Sequence, residues 1–264
     1  MTAPHRHRKL AESFGVDAAR YDRARPRYPD ALVARVLAEA PGREVLDVGT
    51  GTGIAARQFQ AAGATVLGVE PDSRMAEFAR GTGVEVADGT FESWDPAGRE
   101  FDVVTAAQAW HWVDPVAGAA KAARVLRPRG RLAVFGHAYA PPAPVAAALS
   151  AAVREVAPDS PLHKAFESAP SAEAVVAGYR SMFDTAADGI RRAGGFGEPA
   201  HWRFDWEQAY TRAEWLDLAP TTGALTQLSP DQLAEVLDSL GAAIDPIEGV
   251  TMRYTTLAVV AARD

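Results

Sequence analysis

Short apolar runs alternate with stretches of helical spacing through the first half of the chain. Leu32, Val33, Val36 and Leu37 recur at helical intervals, which predicts an amphipathic helix over residues 30–40. Glu44-Val-Leu-Asp-Val48 then reads as a strand, Gly49-Thr-Gly-Thr-Gly53 as a glycine loop, and residues 54–62 as a helix. The alternation continues with a strand over Thr65–Glu70 and a helix over Ser73–Arg80, with Asp72 as its N-cap. Further strands are expected at Val84–Ala87, Phe101–Thr105 and Arg131–Phe135, the last entered through the turn Arg127-Pro-Arg-Gly130. Strands and helices in this rhythm imply an α/β fold with a doubly wound, mostly parallel sheet, because parallel neighbours need crossover helices between them.

After Gly136 the rhythm breaks. Residues 138–183 are rich in Ala and Pro, with helical pieces at Val145–Val156 and Ala172–Phe183, and read as a helical cap inserted into the core. The chain would return to the sheet through residues 190–196. An alternating edge strand follows at His201–Trp206, then helices at Arg212–Leu218 and Pro230–Ile244. The longest strand pattern, Thr251–Ala261, lies almost at the C-terminus. The expected organisation is a basic N-terminal segment and lid helix (1–40), a ligand-binding core (41–137), the cap (138–183) and a completing segment with antiparallel strands (184–264), seven strands in all.

Charge and composition narrow the function. The 264 residues carry 27 Lys and Arg against 34 Asp and Glu, a formal charge of −7, so a general attraction to nucleic-acid phosphates is missing. The basic residues gather early: His5, Arg6, His7, Arg8 and Lys9 open the chain, and Tyr21-Asp-Arg-Ala-Arg-Pro-Arg-Tyr28-Pro sets two tyrosines and three arginines around prolines, which reads as an ordered loop. No apolar stretch reaches the roughly 20 residues of a membrane span, and no apolar segment follows the basic start, so a cytoplasmic protein with no membrane or nucleic-acid partner is expected. The chain has no Cys, which removes thiolate nucleophiles and thiolate metal sites. The acids near the fourth strand, Asp102 and Asp114, have no second carboxylate at ligand spacing, so no metal is expected.

The glycine loop does not fit a dinucleotide site. Counted from Gly49, the sixth position is Ile54 and Gly53 comes one residue early. Asp47, just before the loop, would repel a pyrophosphate and attract a cationic amino group.

Val45-Leu-Asp-Val-Gly-Thr-Gly-Thr-Gly53 resembles motif I of the class I S-adenosylmethionine-dependent methyltransferases. Gly68-Val-Glu-Pro-Asp72 resembles that family's second motif, and Asp88-Gly-Thr-Phe-Glu92 its third. The resemblance implies a Rossmann-like fold and S-adenosylmethionine as cofactor, with S-adenosylhomocysteine as product. It assigns the cofactor to Asp47, Gly49, Gly51, Gly53, Glu70 and Pro71, with Glu70 accepting from the ribose hydroxyls, and to Met75 on the adenine face. The adenine contact is open between Thr90, Phe91 and Asp88. Gln108 joins this set.

Gln108-Ala-Trp-His-Trp112, after strand four, lies where such a family carries out transfer, and resembles a small-molecule branch that includes trans-aconitate methyltransferases. His111 is the candidate general base and Trp110 a face for the sulfonium. Tyr21 and Arg25 would close over the cofactor carboxylate or, with Tyr28, bind an acidic group of the substrate. Trp112 and His137 complete the substrate side, His137 having a second reading as a loop histidine. The expected activity is metal-independent, in-line methylation of a small molecule at O, N or C. Alternatives are a protein of this fold that binds the cofactor without methyl transfer, as a cyclisation catalyst or regulator, or an RNA or protein methyltransferase. Oligomeric state is not written in the pattern.

Overall fold

Strand pairing decides where a ligand can sit. In the computed structural model, which describes residues 13–158, 172–222, 225–245 and 249–264, seven strands form one sheet. They are β1 (Glu44–Val48), β2 (Thr65–Glu70), β3 (Glu85–Asp88), β4 (Phe101–Ala107), β5 (Leu126–Ala140), β6 (Ala200–Tyr210) and β7 (Val250–Ala262), in the order β3-β2-β1-β4-β5-β7-β6. The pairs from β3 to β5 are parallel, and β7 runs against both β5 and β6. The chain winds outward from β1 to β3 and crosses back to β4, so the topological switch lies between β1 and β4. A crevice at the C-terminal ends of strands flanking such a switch is where doubly wound sheets bind ligands.

The nine helices of the described residues are α1 (Ala18–Ala24), α2 (Asp30–Glu39), α3 (Ile54–Ala61), α4 (Ser73–Gly81), α5 (Pro115–Val125), α6 (Ala143–Val156), α7 (Ala172–Ala193), α8 (Arg212–Leu218) and α9 (Pro230–Ile244). In β1, Val45 faces a core built with α2, α3 and α4, while Leu46 and Val48 face one built with α5 and α7. This two-sided burial is why the parallel strands are nearly continuous apolar runs. Helix starts are fixed by side-chain caps: Asp72 accepts from the Arg74 amide, Asp114 from those of Val116 and Ala117, and Thr211 and Ser229 form capping boxes with Glu214 and Gln232. A third core joins α6 to α8, α9 and the start of β7 through Val145, Val153, Trp215, Leu240, Ile244 and Met252.

The structure changes four expectations. Tyr21 lies on a helix, not in a loop: Asp17 caps α1, and only Arg25 onward is extended, where Pro26 disfavours helix in the residue before it. Strand β5 begins at Leu126 and takes in the expected turn as an irregularity, with Arg129 at a φ of 65° and a register shift against β4 between Phe101 and Val103. Strand β6 continues four residues past Trp206. Finally, α7 runs through the expected cap boundary at 183. Its later residues Phe183, Ala186, Ala187 and Ile190 cover the sheet, so only its first half is free to act as a cap. The start of the cap, 138–140, is still strand β5. The basic cluster His5–Lys9 and residues 159–171 of the cap lie outside the described residues.

Candidate active site

The loop after β1 is held open by its own backbone. Gly49, Gly51 and Gly53 all have positive φ, 65°, 57° and 86°, the left-handed region that glycine enters without a Cβ penalty. The Gly49 amide donates to the Val69 carbonyl at 2.8 Å, tying the loop to β2. A Cβ on Gly49 would lie 2.5 Å from that of Ala109, so the loop abuts the segment after β4. A Cβ on Gly51, by contrast, would meet nothing within 4 Å. The middle of the loop therefore faces open space.

Two buried carboxylates flank that space. Asp47 is 1% exposed; its Oδ2 accepts from the Thr50 hydroxyl at 2.7 Å, while Oδ1 is buried with no partner among the described residues. Burial, with the nearby charge of Glu70, lifts its pKa to about 7 against the pull of the Thr50 hydrogen bond. An unmet buried acceptor costs about 1–3 kcal/mol, which marks a place for a donor that a ligand brings. Glu70 accepts from the Gly51 amide at 2.8 Å and the Asp72 amide at 3.0 Å, and burial raises its pKa as well. Gly68 makes this packing possible: a Cβ there would meet the Thr50 side chain at 2.5 Å. Sequence reasoning named Gly68 in the second motif without this packing role, although a glycine inside a strand signals a close approach.

The third-motif candidates separate. Asp88 pairs with Arg80 at 2.7 Å, Phe91 is 3% exposed and packs near Trp110, and the Thr90 hydroxyl meets that of Ser93 at 2.9 Å. Met75 is buried on α4, and Pro71 is exposed at the end of β2.

Across the crevice, Gln108 ends β4 in the left-handed region, at a φ of 57°. Its amide donates to the Phe135 carbonyl at 2.8 Å, and its Nε2 to the His137 carbonyl at 3.2 Å. Gly136 leaves room for it, since a Cβ there would stand 2.3 Å from Gln108 Oε1. The next residues form a short 3₁₀ turn, Trp110–Trp112, which sends neighbours to different sides. Trp110 turns inward and packs near Phe91 and Gly118, a core position rather than the sulfonium face expected of it. His111 is half-buried against the Trp112 ring at 4.5 Å and lines a cavity of about 490 Å³ with Gln108 and the Ala174, Val175, Gly178, Tyr179 and Met182 face of α7. Burial lowers the His111 pKa to about 4, so its imidazole is neutral near pH 7.

His137 lies in strand β5, not in a loop. It is 3% exposed, stacked on Tyr28 at 4.5 Å, with Nδ1 2.9 Å from the Thr256 hydroxyl and Nε2 without a partner among the described residues. Trp206 Nε1 donates to the same hydroxyl. Tyr28 is itself buried, its backbone held by the Gln58 side chain at both N–H and C=O. Arg25 stacks over Tyr21 at 4.9 Å and donates to the Tyr139 hydroxyl at 3.4 Å.

Residues 21–156, just over half of the chain, match the family model described as a methyltransferase domain. The chain belongs to the class I S-adenosylmethionine-dependent methyltransferases. An uncharacterized methyltransferase of Mycobacterium tuberculosis, Rv3342, is 39% identical over 127 residues, 47% of this chain and 52% of that protein. A demethylmenaquinone methyltransferase of Tropheryma whipplei is 34% identical over 110 residues, 39% of this chain and 46% of its own length. The chain thus spans about half the length of the curated relatives it matches. The solved structure of a candidate type II methyltransferase from Anaeromyxobacter dehalogenans aligns over 89% of this chain and 97% of its own, at a TM-score of 0.62 and 26% identity.

S-adenosylmethionine is the cofactor of this family, and the crevice fits it. The unmet Asp47 Oδ1 suits the ammonium of the amino-acid end, the open side of Gly51 admits close approach to the loop, and Glu70 presents a desolvated carboxylate suited to ribose hydroxyls. Sequence reasoning expected a cap over residues 138–183 but named none of the α7 residues that line the cavity. Their signal was available, because 174, 175, 178, 179 and 182 fall on one helical face, but only the tertiary fold brings that face over residue 111.

Proposed function

We propose that the protein transfers the methyl group of S-adenosylmethionine to a small-molecule acceptor seated between residues 108–111 and the first half of α7. The observation that supports it most is the cavity of about 490 Å³ lined by His111 and Gln108, because Ala109, between them in the chain, abuts the glycine loop at Gly49. The loop and the cavity are therefore neighbours across one residue. When bound, the cofactor supplies a methyl group already activated on a sulfonium, so the protein's task is mainly to align an acceptor and keep water out. Apolar Val175 and Met182 wall the cavity. Gln108, fixed at both its amide and its side chain, sets the floor. His111, neutral near pH 7, accepts the proton that an alcohol, phenol or amine acceptor gives up, at the ring nitrogen that carries no hydrogen.

The net charge of −7 favours a small molecule over RNA, and no helix of the described residues is long and apolar enough to cross a membrane. The test is incubation with methyl-labelled S-adenosylmethionine and a panel of small organic acids, phenols and amines, with total RNA and a denatured protein mixture alongside. Label in a small-molecule product is expected. Label confined to RNA or protein overturns the acceptor class, and cofactor binding with no label in any fraction overturns transfer itself.

A further inference from the structure

Lys121 is a buried cation whose contacts all fall on one short turn. It stands on α5, 8% exposed, and its Nζ donates to the carbonyl of Glu92 at 3.2 Å and to that of Trp94. The same ammonium lies 5.4 Å from the centre of the Phe91 ring and 5.5 Å from that of Trp94. Cations nearer the surface behave differently: Arg80 pairs with Asp88 and Arg99 with Glu85. Among the described residues no carboxylate pairs with Lys121. Taking an ammonium out of water without a counter-charge is costly. What offsets that cost lies entirely in residues 91–94.

The place of that turn says what it serves. Just before it, the Gly89 amide donates to the Glu70 carbonyl at 3.0 Å, so the turn starts beside the residue whose carboxylate suits the ribose hydroxyls. The amides of Ser93 and Trp94 close the turn on the Thr90 carbonyl at 3.1 and 2.9 Å, and the paired hydroxyls of Thr90 and Ser93 give it a polar outer edge. Its inner side reaches the segment of His111. The Glu92 carboxylate accepts from the Asp114 amide at 3.3 Å, and the Phe91 ring lies 6.3 Å from that of Trp110, the residue before His111. One turn thus touches both the ribose end of the crevice and the start of the acceptor cavity.

We infer that Lys121 is a positioning residue for the adenine ring of the cofactor: by holding two carbonyls of the 90–94 turn it fixes the polar edge that the ring meets, and joins that edge to the turn that carries His111. Lys121 itself touches neither ligand. A methionine would fill much of the same space, but it would leave both carbonyls without their donor. The inference rests on the placement of S-adenosylmethionine in this crevice, with its ribose at Glu70.

The experiment is calorimetry on the full chain with S-adenosylhomocysteine and S-inosylhomocysteine, which differ only at the edge of the base, where an oxygen replaces the amino group. The wild-type protein should prefer the adenine form by about 10- to 100-fold. Lys121→Met should shrink that preference to less than about threefold, and Lys121→Arg, which keeps a cation donating to carbonyls, should restore most of it. A residue that only stabilises the fold would lower the melting temperature and weaken both ligands equally, so an unchanged preference in Lys121→Met overturns the proposal. Should that variant fail to fold, the comparison of wild type with Lys121→Arg is joined by hydrogen exchange in the wild-type protein. The Ser93 and Trp94 amides should exchange about tenfold more slowly with saturating S-adenosylhomocysteine and change less than about twofold with S-inosylhomocysteine. Equal exchange with both ligands overturns the proposal as well. Titrating S-adenosylhomocysteine first keeps two failures apart: no binding to the wild-type protein overturns the placement of the cofactor, whereas binding with no preference for adenine overturns the role of Lys121 alone.

Discussion

On the cofactor side of the crevice, the glycine loop and the two buried carboxylates that flank it lie between Asp47 and Glu70, crosslinked by Thr50 to Asp47 and Gly51 to Glu70. The proposed acceptor side is made of side chains drawn from distant parts of the chain, Gln108 and His111 after β4 and Val175, Tyr179 and Met182 on α7. The first side is fixed by local chain geometry, and a single Cβ can spoil it. The second is fixed by packing, and its shape can be altered one side chain at a time without touching the first.

Gly51→Val should break the cofactor side most severely. A Cβ at Gly51 finds empty space, so the fold is expected to survive the strain of its 57° φ, but the side chain fills the ligand's approach. Binding of S-adenosylhomocysteine should fall by about 1000-fold or more, roughly 4 kcal/mol, with a cooperative melt retained. Wild-type affinity in calorimetry would show that the loop is not the cofactor cradle. Glu70→Ala comes next, with about a 30- to 1000-fold loss from two charge-assisted hydrogen bonds. Because Glu70 also ties the Gly51 and Asp72 amides, the melting temperature should drop with it.

Protonation sharpens the contrast between the sides. Asp47 has a folded pKa raised by burial to about 7. Its neutral form therefore favours the folded state fully below the unfolded value near 3.9, and that stability is lost as pH rises through about 7. Ligand binding runs the opposite way, since an ammonium pairs with the ionised form. Affinity for S-adenosylhomocysteine should rise by up to about tenfold per pH unit below 7 and level off above it, and Asp47→Asn should flatten the curve. A pH-independent wild-type affinity between 5.5 and 8 would be evidence against ion pairing there. His111 predicts the reverse shape: with its pKa near 4, it is already neutral above about pH 5.5, so single-turnover rates should stay flat where an ordinary imidazole would titrate. His111→Ala should slow transfer to a phenol or amine by about 10²- to 10⁴-fold.

The smallest effect is expected from the wall. Gly178→Val adds volume where a Cβ meets nothing within 4 Å, so it should narrow the range of accepted substrates and leave cofactor affinity within about twofold. An equal loss for S-adenosylhomocysteine would mean that the two sides are not separable.

The same contrast explains what could be read from the chain. Asp47, the three loop glycines and Glu70 sit in one strand, loop, helix and strand unit, and the parallel pairing of β1 with β2 brings them together. The alternation of strands gave the sheet for the same reason. Trp110 was misplaced because a 3₁₀ turn, invisible in a pattern of Trp-His-Trp, turns its ring into the core and His111 toward the cavity. The cap boundary at 183 failed because α7 keeps one apolar stripe through both of its jobs, walling the cavity at Met182 and covering the sheet from Phe183 onward. Tyr179 carried no local sign of its place, since only the docking of α7 brings it beside Gln108 and His111.

The most direct test of the central claim is a crystal structure of the protein with S-adenosylhomocysteine. The account predicts ribose hydroxyls on Glu70, the ammonium toward Asp47, and the sulfur facing the cavity of Gln108, His111 and Tyr179. A ligand bound with Glu70 unengaged, or with its sulfur turned away from that cavity, would contradict it.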